Sequence, residues 1–179
     1  MKIKKLFIFV AIFLAAVVSS QAQNAPDQTK DLDSLYAQKL LKPGTVAPDF
    51  ILPMMNNYKV QLSEFKGKYV LLDFWATWCP DCRKDVPAVK ELNDKYGSKV
   101  EFIGVSFDVD HNRWTKYVVD NGMKWRQVSE LKKMRDAEIS KAYGVEWIPS
   151  MTLIGPDGKV VLSTVVLERM AKALADIAK

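Results

Sequence analysis

The chain has 179 residues, 49% of them hydrophobic, which suits one domain with a sizeable core and argues against a disordered chain. Its 26 basic and 21 acidic residues give a net charge of +5. No basic run carries interleaved aromatics, so nothing in the composition points to nucleic acid.

Much of that charge sits at the N-terminus. Lys2, Lys4 and Lys5 precede the apolar run Leu6 to Val18, and Ser19-Ser20-Gln21-Ala22 supplies small residues for cleavage after Ala22. Residues 1–22 therefore read as a secretory signal peptide, and the mature chain is expected in a bacterial periplasm or cell envelope. The alternative is an uncleaved membrane anchor, but this apolar run falls short of the roughly 20 residues a span needs. No cysteine lies near the cleavage point, which excludes a lipoprotein anchor. Without the three lysines the balance is 23 basic to 21 acidic, or +2.

Residues 23–43 read as a polar, mobile lead-in, with Leu32, Leu35, Leu40 and Leu41 spaced for one short helix after Asp31. Pro43-Gly44 punctuates the start of the domain, residues 44–179. Ala47 to Leu52 and Tyr58 to Leu62 flank Met55-Asn56-Asn57, a hairpin pattern. Ser63 caps a short helical turn through Phe65, ended by Gly67.

Tyr69 to Ala76 is an apolar run that predicts a buried strand. Pro80 to Tyr96 follows as a helix, with Val86, Val89 and Leu92 in helical spacing, Pro87 expected to kink it and Gly97 at its end. Val100 to Phe107 is the next buried strand, completing a β-α-β unit. Asp108 to Arg113 reads as a polar turn, Trp114 to Asn121-Gly122 as a helix and Trp125 to Val128 as a short strand. Asp136 to Tyr143 is a further helix stopped by Gly144. Strands at 150–154 and 160–164 flank the turn Pro156-Asp157-Gly158-Lys159. Leu167, Met170, Leu174 and Ile177 outline the closing helix.

Both cysteines of the chain lie in one motif, Cys79-Pro80-Asp81-Cys82, where the buried strand hands over to the helix. A disulfide closing so short a loop constrains little of the unfolded chain, so reversible chemistry explains the pair better than structural bracing does. A helix N-terminus presents unpaired N–H groups and partial positive charge, which favours a thiolate, the reactive form of cysteine.

Asp73-Phe74-Trp75-Ala76-Thr77-Trp78-Cys79-Pro80-Asp81-Cys82 resembles the active-site strand and turn of thioredoxins. Arg83-Lys84-Asp85-Val86-Pro87 makes it more similar to the secreted TlpA/ResA-type thiol-disulfide oxidoreductases, and the resemblance runs from about Gly44 to the C-terminus. It implies an α/β thioredoxin-like fold: a central mixed sheet flanked by helices, with an N-terminal β-hairpin extension and a helical insert at about 108–128. It also implies disulfide exchange with proteins, more as reductant than oxidant, with no bound cofactor, by a monomer fed by a membrane-embedded thiol donor.

The resemblance assigns roles residue by residue. Cys79 is the attacking sulfur, more exposed and more acidic, and Cys82 the shielded resolving one. Asp73 matches the buried acid of thioredoxins; burial should raise its pKa and suit it to proton transfer. Asp85 matches the glutamate that does this work in ResA-like proteins. Trp78, Pro80, Asp81, Ile148 and Pro149 match the substrate-binding surface, with Ile148-Pro149 expected as a cis bond facing the cysteines. The glycine common in the family before the last helix is missing, since Ser163-Thr164-Val165-Val166 stands there.

Other readings of the cysteines are weaker. A peroxiredoxin would need threonine and proline where Ala76 and Leu72 stand. Residue 83 is arginine, which removes a haem-attachment motif. The alternative of another class is a copper(I)-binding or delivery protein using both cysteines and His111, since Cu(I) favours soft ligands.

Overall fold

A computed structural model of the chain describes residues 29–179. The expected signal peptide and its cleavage point lie outside the described residues. Five strands form the main sheet: β3 (Tyr69–Trp75), β4 (Val100–Ser106), β5 (Arg126–Ser129), β6 (Ser150–Ile154) and β7 (Val160–Thr164), after the separate hairpin of β1 (Ile51–Pro53) and β2 (Lys59–Gln61). Their order is β5-β4-β3-β6-β7. β3 pairs parallel with β4 and antiparallel with β6, so the sheet is mixed, as expected.

β3 takes the centre because it is apolar on both faces. Every residue from Val70 to Trp75 is buried, the pattern of a strand covered on two sides. Side chains alternate along a strand, so Asp73 and Trp75 share one face, and there Trp75 meets Tyr117 of α3 (His111–Asp120) at 5.7 Å between ring centroids. Phe74 points the other way, toward Phe107 and Tyr143 of α4 (Glu138–Tyr143). The helix α2 (Pro80–Tyr96) packs against α5 (Leu167–Ile177), which buries Met170 and Leu174.

Most differences from the sequence expectation are at element ends. α3 begins at His111, inside the stretch read as a turn, because Asp110 caps it by accepting from the N–H groups of Asn112 and Arg113. The turn of helix at Leu62–Phe65 is capped by Gln61, not Ser63, whose N–H donates to Asp49 instead. The stretch 136–143 divides into a 3-10 turn, Met134–Asp136, and α4.

The larger correction concerns the lead-in. From Asp33 on it is docked rather than mobile. α1 (Thr29–Tyr36) sets Asp33 beside the end of β7, where its carboxylate accepts from the Thr164 hydroxyl and the Val165 N–H (2.8 Å each) and pairs with Arg169. Ala37 and Leu40 are buried in the core. Leu41 N–H donates to the Tyr143 carbonyl, and Lys39 pairs with Glu146 at 2.6 Å. Beyond this strap the extension reaches both sheet edges: Gly44 and Thr45 exchange hydrogen bonds with Val160 of β7, and Met54 bridges to Val128 of β5. Asp and Leu in a polar stretch gave no sign of these distant partners.

Gly144 is the tightest point of the strap. Its φ is +68°, and an added Cβ would stand 1.9 Å from the Lys39 carbonyl oxygen. Gly144→Ala is expected to cost about 2 kcal/mol or more, lowering Tm by roughly 4–8 °C. Gly158→Ala, at φ +77° with nothing within 4 Å, should show only the backbone part of that cost. Thermal melts of the two variants check this; equal losses would mean that the Lys39 contact carries no weight.

Candidate active site

The turn between β3 and α2 is held from below by a buried carboxylate. Asp108 accepts from the Thr77 N–H (2.9 Å), the Thr77 hydroxyl (2.6 Å) and the Ser106 hydroxyl (2.8 Å). Phe107 donates its N–H to the Trp75 carbonyl at 3.0 Å, continuing the β3–β4 pairing into the turn. These bonds offset the cost of burying a charge and fix the chain two residues before Cys79. Sequence reasoning missed Asp108 and Thr77. The one local signal was an aspartate two residues after Ser106 at the end of an apolar strand.

Cys79 and Cys82 are joined in a disulfide, with Cα atoms 5.3 Å apart. The expected contrast in exposure is not seen: Cys79 is 5% exposed and Cys82 3%. Position separates them instead. Cys79 is the N-cap residue of α2 with Pro80 at the first helical position, while Cys82 lies inside the first turn. The Cys82 N–H points at the Cys79 sulfur from 3.1 Å. In the reduced protein that donor and the helix field both favour charge on Cys79.

Asp73 is buried in β3, and burial pushes its pKa up to about 7, with the negative charge of Asp85 adding to the rise. Asp85 is half-buried on α2, and its pKa is also raised, by burial first, then by Glu168 of α5 and by Asp81, with Lys84 opposing. The two acids singled out in the sequence therefore repel each other, with Asp85 one turn along α2 from Cys82. Glu168 is an acid the sequence did not suggest.

Across the disulfide lies the loop before β6. The Ile148–Pro149 peptide bond is cis, and the Ile148 carbonyl oxygen is 3.8 Å from the Cys79 sulfur. Trp78, Pro80 and Asp81 are exposed at the mouth. Trp78 is tethered by its ring N–H to the Phe107 carbonyl at 3.5 Å. Asp81 pairs with Lys84 at 2.9 Å, so its charge beside Cys79 is partly met. Trp75 is buried, with its ring N–H donating to the buried Gln127 at 3.1 Å.

The structure does not bring His111 to the cysteines. Its Nε2 lies 3.0 Å from the Met55 carbonyl, and its ring meets Trp114 edge-on. Among the described residues no group of three His, Cys, Asp or Glu could hold a metal ion. The copper reading therefore loses its third ligand.

A family model described as Redoxin matches residues 42–177. The chain belongs to the redoxin family. This redoxin is 31% identical to the thiol-disulfide oxidoreductase ResA of Oceanobacillus iheyensis over 185 residues, covering 96% of the chain and 89% of that relative. It is 35% identical to ResA of Bacillus thuringiensis over 125 residues, 69% of the chain and 70% of the relative. Among solved structures, the thioredoxin domain of a thiol-disulfide oxidoreductase from Bacteroides vulgatus superposes with a TM-score of 0.70 at 28% identity, covering 78% of this chain and 99% of that one. The redoxin is thus a TlpA/ResA-like member of the thioredoxin superfamily and a thiol-disulfide oxidoreductase, with Cys79 and Cys82 as its redox pair.

Proposed function

We propose that this protein reduces disulfides in other proteins. The observation that carries the direction is the set of acids on the two elements that join at the cysteines: Asp73 on β3 and Asp85 on α2, with Asp81 and Glu168 adding repulsion. Negative charge there works against the helix field at Cys79 and disfavours the thiolates of the reduced form. A dithiol that is poorly stabilised gives up its electrons readily, the opposite of a strong oxidant whose reduced form is stabilised.

In the forward reaction the Cys79 thiolate attacks one sulfur of the substrate disulfide, forming a mixed disulfide and releasing one substrate thiolate. Cys82, deprotonated by Asp73, attacks the Cys79 sulfur and releases the second. One disulfide is thereby reduced to two thiols as Cys79–Cys82 forms; the Cys82 proton passes through Asp73 to one substrate thiolate, and the other takes from solvent the proton that Cys79 gave up on ionising. The disulfide form seen here is the product of that half-reaction, and a thiol donor must reduce it again.

For that donor the reading takes a membrane-embedded thiol protein, and for the enzyme an exported monomer working without a cofactor. The N-terminal lysines, apolar run and Ala22 support export. Among the described residues no helix is long and apolar enough to cross a membrane.

Equilibrating Cys79/Cys82 against thiol buffers, and counting alkylated cysteines by mass, tests the direction. A reductant gives a potential near that of thioredoxin, about −270 mV. A value near that of DsbA, about −120 mV, would reverse the proposal.

A further inference from the structure

Five tryptophans occur in the chain. Trp75, Trp114 and Trp125 are buried, while Trp78 is 49% and Trp147 44% exposed. The two exposed ones immediately precede Cys79 and Ile148, the residues whose sulfur and carbonyl oxygen face each other at 3.8 Å. The two indoles therefore belong to the two loops that meet at the redox sulfur. Indoles left half in water at such a place are suited to an occupant.

Trp147 is also held in place. Its ring stacks on Tyr36 of the strap, with centroids 4.3 Å apart and planes 25° from parallel. The strap is pinned on both sides of Tyr36, by Asp33 on Thr164 and Arg169 and by Lys39 on Glu146. Fixing an aromatic ring before binding spares the entropy of ordering it later.

We propose that Trp147, braced by Tyr36, forms with Trp78 an aromatic rim that receives the apolar side chains flanking the cysteine of an extended protein segment. This rests on the reading of the protein as a protein-disulfide reductant. Ile148 and Pro149 run directly into β6, so a segment laid beside them extends as a strand does, by β-augmentation. A strand places the residues next to its cysteine along the mouth, within reach of both indoles. Two charged pairs stand on the same stretches of chain as the indoles, Lys39 with Glu146 and Asp81 with Lys84. Selection therefore falls on apolar surface rather than on charge, and it suits chains that are not yet folded.

The test uses two disulfide-linked peptides that differ only beside the cysteine, one flanked by Phe and Leu, the other by Ser and Gly. The full mature chain should prefer the first in kcat/KM. Trp147→Ala should lower that preference about five- to tenfold, chiefly through KM. Tyr36→Ala should lower it about two- to threefold, with Tyr36→Phe restoring it. The reduction potential should stay unchanged in all three variants. An undiminished preference in Trp147→Ala overturns the rim, as does an equal loss on both peptides or a shifted potential, since those mark a distorted loop. Failure of the wild-type protein to reduce either peptide counts against the reductant reading itself. Reduction of both without preference counts against the rim alone.

Discussion

Cys82→Ser is expected to accumulate a covalent complex between Cys79 and substrate. Cys79 remains the N-cap of α2, with the N–H of residue 82 directed at its sulfur, so attack survives. The second thiol is gone, so the mixed disulfide has no internal route to release. Non-reducing gels with mass spectrometry should find the adduct on Cys79 alone. Cys79→Ser should form no adduct and lose turnover by about three orders of magnitude or more, as loss of a nucleophile does elsewhere. The two cysteines are almost equally buried, so this asymmetry tests helix position rather than exposure. Full turnover by Cys82→Ser, or an adduct on Cys82 in the Cys79 variant, would reverse the assignment.

Asp73→Asn is expected to change both the pH profile and the stability. As the acceptor of the Cys82 proton, Asp73 contributes on the order of a hundredfold to turnover, and its titration sets a limb of the profile near pH 7. The asparagine variant should lose that limb. Asp85→Asn removes a negative neighbour, which lowers the pKa of Asp73 and moves the limb to more acid pH. A limb unmoved in both variants sinks the role of these acids.

The stability effect follows from the same shift. The folded pKa of Asp73 is raised above its ordinary 3.8. The folded protein therefore holds a proton that the unfolded chain gives up between about pH 4 and pH 7. That contribution is complete below pH 3.8 and is lost as pH rises through about 7, at roughly 1.4 kcal/mol per unit. The total is at most about 4 kcal/mol across the window. Oxidised wild-type protein should therefore melt lower at pH 8 than at pH 5, while Asp73→Asn shows a smaller fall. Parallel melting curves of the two proteins across this range would remove Asp73 as the buried titrating group.

What was legible in the sequence was what neighbours in the chain decide. The run Val70 to Trp75 is buried on both faces, and α2 has the bounds that Pro80 and Gly97 marked. Cys79 and Cys82 follow from one motif. Asp73 could be singled out because an acid in an apolar strand is costly wherever the strand goes. The capping of α3 by Asp110 was also local, but it was hidden among other polar residues that signal turns equally well. Contacts across the sequence were not legible. Thr77 and Asp108 are 31 positions apart, Lys39 and Glu146 107, and Asp33 and Arg169 136. Asp33 also explains how the turn before α5 is built without a glycine. Its carboxylate ties down Thr164 and Val165, and the Thr164 hydroxyl accepts from the Val166 N–H.

The bridges at Thr45–Val160 and Met54–Val128 bear on how the protein survives its own substrates. A protein that handles extended, apolar-flanked chains meets at high frequency the very material that nucleates fibrils on open strand edges. Here the outer strands β7 and β5 are each engaged by the chain's own N-terminal extension. Each outer strand thus has part of its edge taken by the chain itself, which leaves less of the sheet open to incoming polypeptide. Pairing at Ile148 is brief by construction, since it lasts only until the second sulfur has reacted, and it leads to release rather than to growth.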